Sequence, residues 1–432
     1  MISAMAIQLI VIFLVMFICL FLRFPIFFSL VVSIIVYCLV FWGKVPDAII
    51  SQGMTQALNT QNIVAILCYF LLGEIINIGG LGDRMVDFYK ACLGHIRGSL
   101  SHINVIDSMV FAGVSGSPMA DSASIGSIMI NMMIKEGYPR GYTSAITYVT
   151  SCIAPVIPPS TTLVLYGLYF GVSVRRLFIA GIVPGVSMGL FMLVVSFILA
   201  KKLHFPRSPW GGWKNIWVTF KRSVFALLLP IALISFLLLG VGTIIEIAAV
   251  SVLLAYIVAI FIYKEMNFKG FIRSLMNAST MCITVLSIMM ASGTFTWIVT
   301  SMGTGKWLAE ISNVGSSTGT LLILAAALLF LGCILETNVI NMVFIPIMVT
   351  TVNLAGINVI QFCIVAAVVV CMGLITPPVG NLIYLCSNMA KCSPIESIKA
   401  SVPYLIALII LVVLMIFIPG IVNWLPDLIY SR

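Results

Sequence analysis

Two short stretches carry the groups in this chain that could bind a ligand. IPPST at Ile157–Thr161 places Ser160 and Thr161 behind the pair Pro158-Pro159, with Thr162 following; TPPVG at Thr376–Gly380 places Thr376 ahead of Pro377-Pro378 and Asn381 behind. Proline removes a backbone donor and clashes with the turn before it, so two in succession break a helix and free several carbonyls. Hydroxyls, an amide and open carbonyls at such a break are oxygen ligands for a hard cation. The N-terminus of the helix that restarts beyond it suits an anion. A purely structural kink is the competing reading of either pair.

A second constellation lies upstream of each pair. GVSGSPMADSASIG (Gly113–Gly126) and GCILETNVINM (Gly332–Met342) are too rich in small and polar residues for continuous spanning helices, and they read as the tips of helical hairpins. Five acids fall in apolar surroundings: Glu74, Asp107, Asp121, Glu246 and Glu336. The first two and Glu246 are expected at helix ends, paired with backbone or a basic residue. Asp121 and Glu336, on the hairpins, are expected either to enter the site or to hold its tip. No Lys or Arg occurs in residues 98–134, 141–174 or 307–390, so an anion bound by these elements would be met by helix ends and co-bound cations.

Other chemistries are poorly supplied. There is no HExxH, no GxSxG and no phosphate-binding loop ending in Gly-Lys-Ser/Thr. The 11 cysteines include no CxxC pair and form no metal-ligand spacing with the three histidines. They are expected as small buried hydrophobes.

What must position these residues is a bundle of membrane helices. Hydrophobic residues make up 62% of the 432 and charged residues 8%. Runs such as Ala6–Leu22, Ile26–Trp42, Val224–Leu239 and Ile245–Ile262 approach the roughly 20 residues that span a bilayer as a helix. The sequence predicts helices at about 5–23, 25–43, 60–80 and 176–200, with an amphipathic stretch at Asp83–Arg97, a hairpin at 100–134 and a broken helix at 140–172 between the last two. A basic loop, 201–222, then leads to a second series: 223–242, 244–263, 280–300, a turn near Lys306–Asn313, a hairpin at 318–353, a broken helix at 358–390 and a last helix at 401–424.

The two series are copies. A shift of 219 residues superimposes the proline pairs and also aligns Gly113 with Gly332, Gly137 with Gly356 and Pro184 with Pro403. Five spans plus one hairpin per copy makes the halves point in opposite directions, an inverted repeat of residues 1–200 and 223–432 about the linker. With that linker inside, only Lys44, Arg175, Arg176, Lys306 and Arg432 of the 22 basic residues lie outside, as the positive-inside rule expects, and both termini are outside. Arg175 and Arg176 depart from the bias and are expected to contact a partner on the outer face.

SGSPMADSASIGSIMI, IPPSTTLVLYG, RLFIAGIVPG and GLITPPVGNLIYL, with GEIINIGGLGDR and IEIAAV, resemble the large membrane subunit of TRAP (tripartite ATP-independent periplasmic) transporters, collinearly over nearly the whole chain. The resemblance implies an all-α inner-membrane protein of elevator type that imports a small organic acid, such as sialic acid or a C4-dicarboxylate, with Na⁺. It implies a periplasmic binding protein that delivers the acid and a separate small four-helix membrane subunit, since no such segment precedes the first helix. It places one Na⁺ at Ser115, Gly116 and Ser117 with the Ala154–Pro158 turn, and another at Gly332, Thr337, Gly373 and Thr376. The acid would lie between, near Ser160, Thr161, Asn338 and Asn381. The alternatives are a stand-alone divalent-anion/Na⁺ symporter and, more remotely, an intramembrane enzyme or channel.

Overall fold

The computed structural model describes residues 2–59, 62–123, 125–207, 210–312, 315–377 and 379–430. Pro378 lies outside the described residues, as does the side chain of Ser115. Among the described residues every regular element is helical. The first half consists of α1 (Ile2–Phe21), α2 (Ile26–Trp42), α3 (Asp47–Leu58), α4 (Asn62–Ile78), α5 (Leu81–Leu93), α6 (Ser99–Ser115), α7 (Pro118–Ala123), α8 (Ile125–Lys135), α9 (Arg140–Ser151), α10 (Thr161–Phe170) and α11 (Val174–Lys202). The second consists of α12 (Gly212–Leu239), α13 (Ile244–Ile257, continued by a π-helical turn Val258–Ile262), α14 (Phe268–Ser301), α15 (Thr304–Ser312), α16 (Ser317–Ile334), α17 (Thr337–Val339, continued by a π-helical turn Ile340–Phe344), α18 (Ile345–Leu354), α19 (Val359–Leu374), α20 (Asn381–Ala390), α21 (Pro394–Phe417) and α22 (Gly420–Tyr430).

Among the described residues seven helices are long and apolar enough to cross a membrane, and α4 with α5 forms an eighth apolar unit bent by 63°. The bend falls at Gly79-Gly80, where Gly80 has a φ of +66°. The exposed surface is what lipid demands: Ile7, Leu14, Phe21, Phe261, Ile283 and Phe330 lie on the outside. The buried centre is built by α9 and α19. Every residue of α9 from Gly141 to Ser151, and of α19 from Ile360 to Leu374, is buried. The two cores differ in chemistry. α9 presents Thr143, Ser144, Thr147, Thr150 and Ser151, whereas α19 is mostly Val, Ile, Ala and Cys. In lipid, helices do not associate by the hydrophobic effect, so close packing and interhelical hydrogen bonds do that work here.

Elements on the two sides of the chain correspond closely. α7 and α17 begin 219 residues apart, at Pro118 and Thr337, and so do α9 and α19, at Arg140 and Val359. Each outer helix crosses to the other half: α9 packs on α21, and α19 on α11.

Several boundaries differ from the expected ones, each for a local reason. α12 begins at Gly212, inside the expected linker, because Trp213, Ile216, Trp217 and Phe220 recur at helical spacing. α3 is a short helix that the sequence reading did not contain. The corresponding stretch of the second half merges with its neighbour into the single 34-residue α14. The last span starts at Pro394, whose ring suits the first helical turn, and ends at Phe417 before Pro419; α22 follows separately.

Candidate functional site

The first break is closed and buried. After α9 the chain turns irregularly through Cys152–Pro159, all of it buried, Ala154 and Pro158 included. The Pro158-Pro159 bond is cis. Ser160 is fully buried, and its hydroxyl works in both directions. It donates to the Pro155 carbonyl at 2.6 Å and accepts from the Leu163 amide at 3.2 Å, which makes it the N-cap of α10. Thr161 Oγ1 donates to the Gly116 carbonyl at 3.4 Å and so ties the break to the first hairpin. Gly116 sits at φ +56°, and a Cβ there would lie 3.1 Å from the Thr161 amide nitrogen. Position and contact together call for glycine. Beside it the Ser117 hydroxyl accepts from the Ala120 amide at 3.5 Å, at the start of α7.

The second break is open. Thr376 Oγ1 donates to the Met372 carbonyl at 2.6 Å, which closes the end of α19. Pro377 and Val379 are exposed, and Thr376 and Asn381 are half-buried. The amides of Val379 and Gly380 both donate to the Cys333 carbonyl, at 3.1 and 3.4 Å, so among the described residues the second hairpin holds this break through backbone hydrogen bonds. α20 starts after Gly380 with no side chain capping it. Gly332 and Gly373 bring α16 and α19 into backbone contact: a Cβ on Gly373 would overlap the Gly332 backbone, and one on Gly332 would lie 2.9 Å from Gly373 Cα. At the hairpin tip Thr337 Oγ1 is buried without a hydrogen-bond partner, and Asn338 donates to Glu336 Oε1 at 3.2 Å.

The two breaks interlock across the halves. α20 packs on α7 and α8 of the first hairpin, and α10 packs on the π-helical turn after α17 and on α18. Tyr166 donates to Asn341 Oδ1 at 2.7 Å along this second contact. At the centre Cys152 Sγ lies 3.4 Å from the carbonyl of Cys371, a residue 219 positions away.

The acids separate into different roles. Glu246 forms a capping box with Thr243 at the start of α13, the helix-end pairing expected of it. Glu74 accepts from Asn277 at 2.9 Å. Asp107 is fully buried and neither of its oxygens has a partner, unlike the pairing expected. Asp121 accepts from Ser108 at 3.4 Å, within a polar web in which Asn104 bonds Thr147 and Thr150, and Ser122 donates to Ser151. That web was missed in the sequence, although hydroxyls at 143, 147, 150 and 151 follow helical spacing. Arg175 and Arg176 have partners within the chain. Arg175 donates to the Leu237 and Leu238 carbonyls at 3.0 and 3.1 Å, and Arg176 reaches Asp427 at 3.4 Å.

Comparison with known proteins agrees with this architecture. Residues 13–421 match the family described as "Tripartite ATP-independent periplasmic transporter, DctM component". The 2,3-diketo-L-gulonate TRAP transporter large permease protein YiaN of Escherichia coli is 30% identical over 89% of this chain and 91% of its own. The C4-dicarboxylate TRAP transporter large permease protein DctM of Pseudomonas aeruginosa is 30% identical over 88% and 90%, and the sialic acid large permease SiaM of Vibrio cholerae 29% over 88% and 89%. The crystal structure of the Alcanivorax borkumensis YdaH transporter shares the fold, with a TM-score of 0.63 at 13% identity over 86% of this chain and 87% of that one. The protein is thus a transporter rather than an enzyme, and crosses the bacterial inner membrane several times. It belongs to the TRAP transporter family as a large permease component.

Proposed function

We propose that this permease imports a small organic acid by Na⁺ symport, taking the acid from a periplasmic binding protein and working beside a small four-helix membrane subunit. The observation that carries the reading is the second break. The uncapped N-terminus of α20 opens at a half-exposed site built by elements without Lys or Arg (residues 307–390), next to a hairpin whose Thr337 hydroxyl is buried and unpartnered. A helix N-terminus carries roughly half a positive charge. That is too little to neutralise a carboxylate, and in this reading a co-bound cation supplies the remainder.

In this reading Gly332, Thr337, Gly373 and Thr376 hold one Na⁺ through backbone and hydroxyl oxygens. Ser115, Gly116 and Ser117 hold another against the Ala154–Pro158 turn. Asn338 and Asn381 receive the acid on one side and Thr161 on the other, while Ser160 serves by fixing the start of α10. The halves form an inverted repeat. This is supported by the matched element starts and by the Cys152–Cys371 contact, because equivalent residues meet only on a two-fold axis. The hairpins and breaks move together as an elevator against α1–α5 and α12–α15. Arg176, half-exposed beside α22, contacts the binding protein on the outer face.

The test is uptake by proteoliposomes containing this permease with its small subunit. Accumulation of a labelled organic acid should require both an inward Na⁺ gradient and the loaded binding protein. Equal uptake in choline medium without the binding protein would sink the proposal.

A further inference from the structure

A cavity of about 700 Å³ lies between the tip of the second hairpin and α1, α2 and α14. Most of its lining is apolar, Phe24, Phe27 and Val339 included. Among the described residues three lining side chains can hydrogen bond: Glu336 on the hairpin, and Thr284 and Ser287 on α14. Each offers the cavity an acceptor. Thr284 spends its proton on the Thr280 carbonyl at 2.9 Å and Ser287 on the Ile283 carbonyl at 2.7 Å, so lone pairs remain on both oxygens. Glu336 is half-buried and accepts from Asn338 through Oε1 at 3.2 Å. Its Oε2 has no donor among the described residues and is not sealed inside the protein. The wall continues along α14 as a polar row at helical spacing, with Asn277, Thr280 and Thr284 exposed. Against lipid a row of this kind ending at a carboxylate would be costly, so it marks a wetted face.

We propose that this cavity receives the hydroxylated end of the transported acid, and that Glu336 makes the permease selective for polyhydroxy monocarboxylates over dicarboxylates. The proposal rests on the importer reading above, which seats the carboxylate at Asn338, Asn381 and the start of α20. Asn338 holds Glu336 Oε1, so a molecule whose carboxylate rests at α20 presents its other end to Oε2. Hydroxyls at that end find three acceptors. A second carboxylate brings no donor and meets a like charge. An alkyl chain displaces water from Oε2 and gives nothing back. The volume and the apolar walls suit a carbon frame of several atoms. A bare hard cation needs oxygens closed in to about 2.6 Å or less, far tighter than this space.

The test compares four six-carbon acids on the permease with its small subunit in nanodiscs, in Na⁺ and at constant ionic strength. Gluconate carries one charge and hydroxyls, and glucarate two charges and hydroxyls. Hexanoate carries one charge and no hydroxyl, and 6-aminohexanoate an ammonium in their place. Dissociation constants are read from the shift of the thermal midpoint with concentration. Gluconate should bind at least about tenfold more tightly than each of the others. Glu336→Gln should weaken gluconate about tenfold and tighten glucarate about fivefold, while Glu336→Asp keeps the order of the four. Thr284→Val, on the opposite wall, should weaken gluconate about threefold and leave hexanoate unchanged, which reads the site independently of the hairpin variants. Equal binding of gluconate and glucarate, tighter binding of 6-aminohexanoate, or no shift with any acid overturns the proposal. So does a Glu336→Gln variant that loses Na⁺ affinity and keeps its acid preference, which would make Glu336 an ion ligand. Uptake by the proteoliposomes described above separates this from the importer reading. Na⁺-dependent uptake without discrimination among the four acids removes the specificity alone; discrimination without Na⁺-dependent uptake removes the importer and keeps the subsite.

Discussion

The two proline breaks are finished in opposite ways. At the first, hydroxyls follow the pair, and Ser160 turns back to cap α10, so that the break is sealed and fully buried. At the second the hydroxyl of Thr376 precedes the pair and closes α19. The position equivalent to Ser160 is Val379, which has nothing to cap with, and α20 begins open at a partly exposed site. The two proline motifs thus differ in where their hydroxyls stand relative to the prolines, and on the proposal above the first is structural and the second binds. The hairpins follow the same division. The first is set in a web of Asn, Ser and Thr side chains; the second meets its break through glycine contact and a single backbone carbonyl, leaving Thr337 unengaged.

The strongest way to break this comparison is at Gly373. Its counterpart 219 residues earlier is Ala154, which buries a methyl without difficulty. At Gly373 the same methyl would enter the Gly332 backbone. Gly373→Ala should therefore separate α16 from α19, cost about 1–3 kcal/mol as overpacking and lower uptake per inserted molecule at least tenfold. Ala154→Gly should cost under about 1 kcal/mol and leave uptake near normal. Thermal midpoints and initial uptake rates read both, and equal effects at the two positions would refute the asymmetry.

Next in size are the hydroxyls of the second site. Thr337→Ala removes a group with no partner in the chain, so stability should hold. The half-saturating Na⁺ concentration should rise about tenfold, equivalent to about 1.4 kcal/mol. Thr376→Ala should do the same with a modest loss of stability, because that hydroxyl also closes α19. Unchanged Na⁺ dependence in both variants would remove the cation from this hairpin.

Much of the fold was legible in the sequence, and the reason is physical. In a bilayer every span announces itself by length and apolarity, and a broken helix announces itself by proline. Helix ends accordingly fall near the expected points: α6–α8 occupy the stretch 99–135, α16–α18 the stretch 317–354, and no helix runs through Pro158-Pro159 or Pro377. Short interfacial pieces were less legible. α3 has neither the length nor the apolarity of a span, and α22 is separated from α21 by a proline whose effect on the last span was overlooked. At the site, the residue types were visible but their engagement was not. Nothing in the sequence tells that Ser160 points back to Pro155 and Leu163, or that the carbonyl of Cys333 serves the second break, because backbone acceptors leave no trace in side-chain identity.

The finest test exchanges the finish of the two breaks. Ser160→Ala removes the cap of α10 and leaves the Leu163 amide unmet, which should cost about 1 kcal/mol of stability. The half-saturating concentrations of Na⁺ and acid should stay within twofold, because that hydroxyl is already used on both sides. Val379→Ser is the reciprocal change. By the 219-residue shift a hydroxyl there takes the place of Ser160, although it stands one residue ahead of Gly380, the N-cap of α20; where it reaches an amide of the first turn the variant should gain up to about 1 kcal/mol in stability. The same bond would occupy the N-terminus on which the proposed function seats the acid, so on that proposal the half-saturating acid concentration should rise severalfold while Na⁺ binding changes little. A gain in stability coupled to a loss of acid affinity is what distinguishes an open helix end used for binding from one that is merely unfinished. If Val379→Ser stabilises the protein and transport is untouched, the acid does not rest on α20.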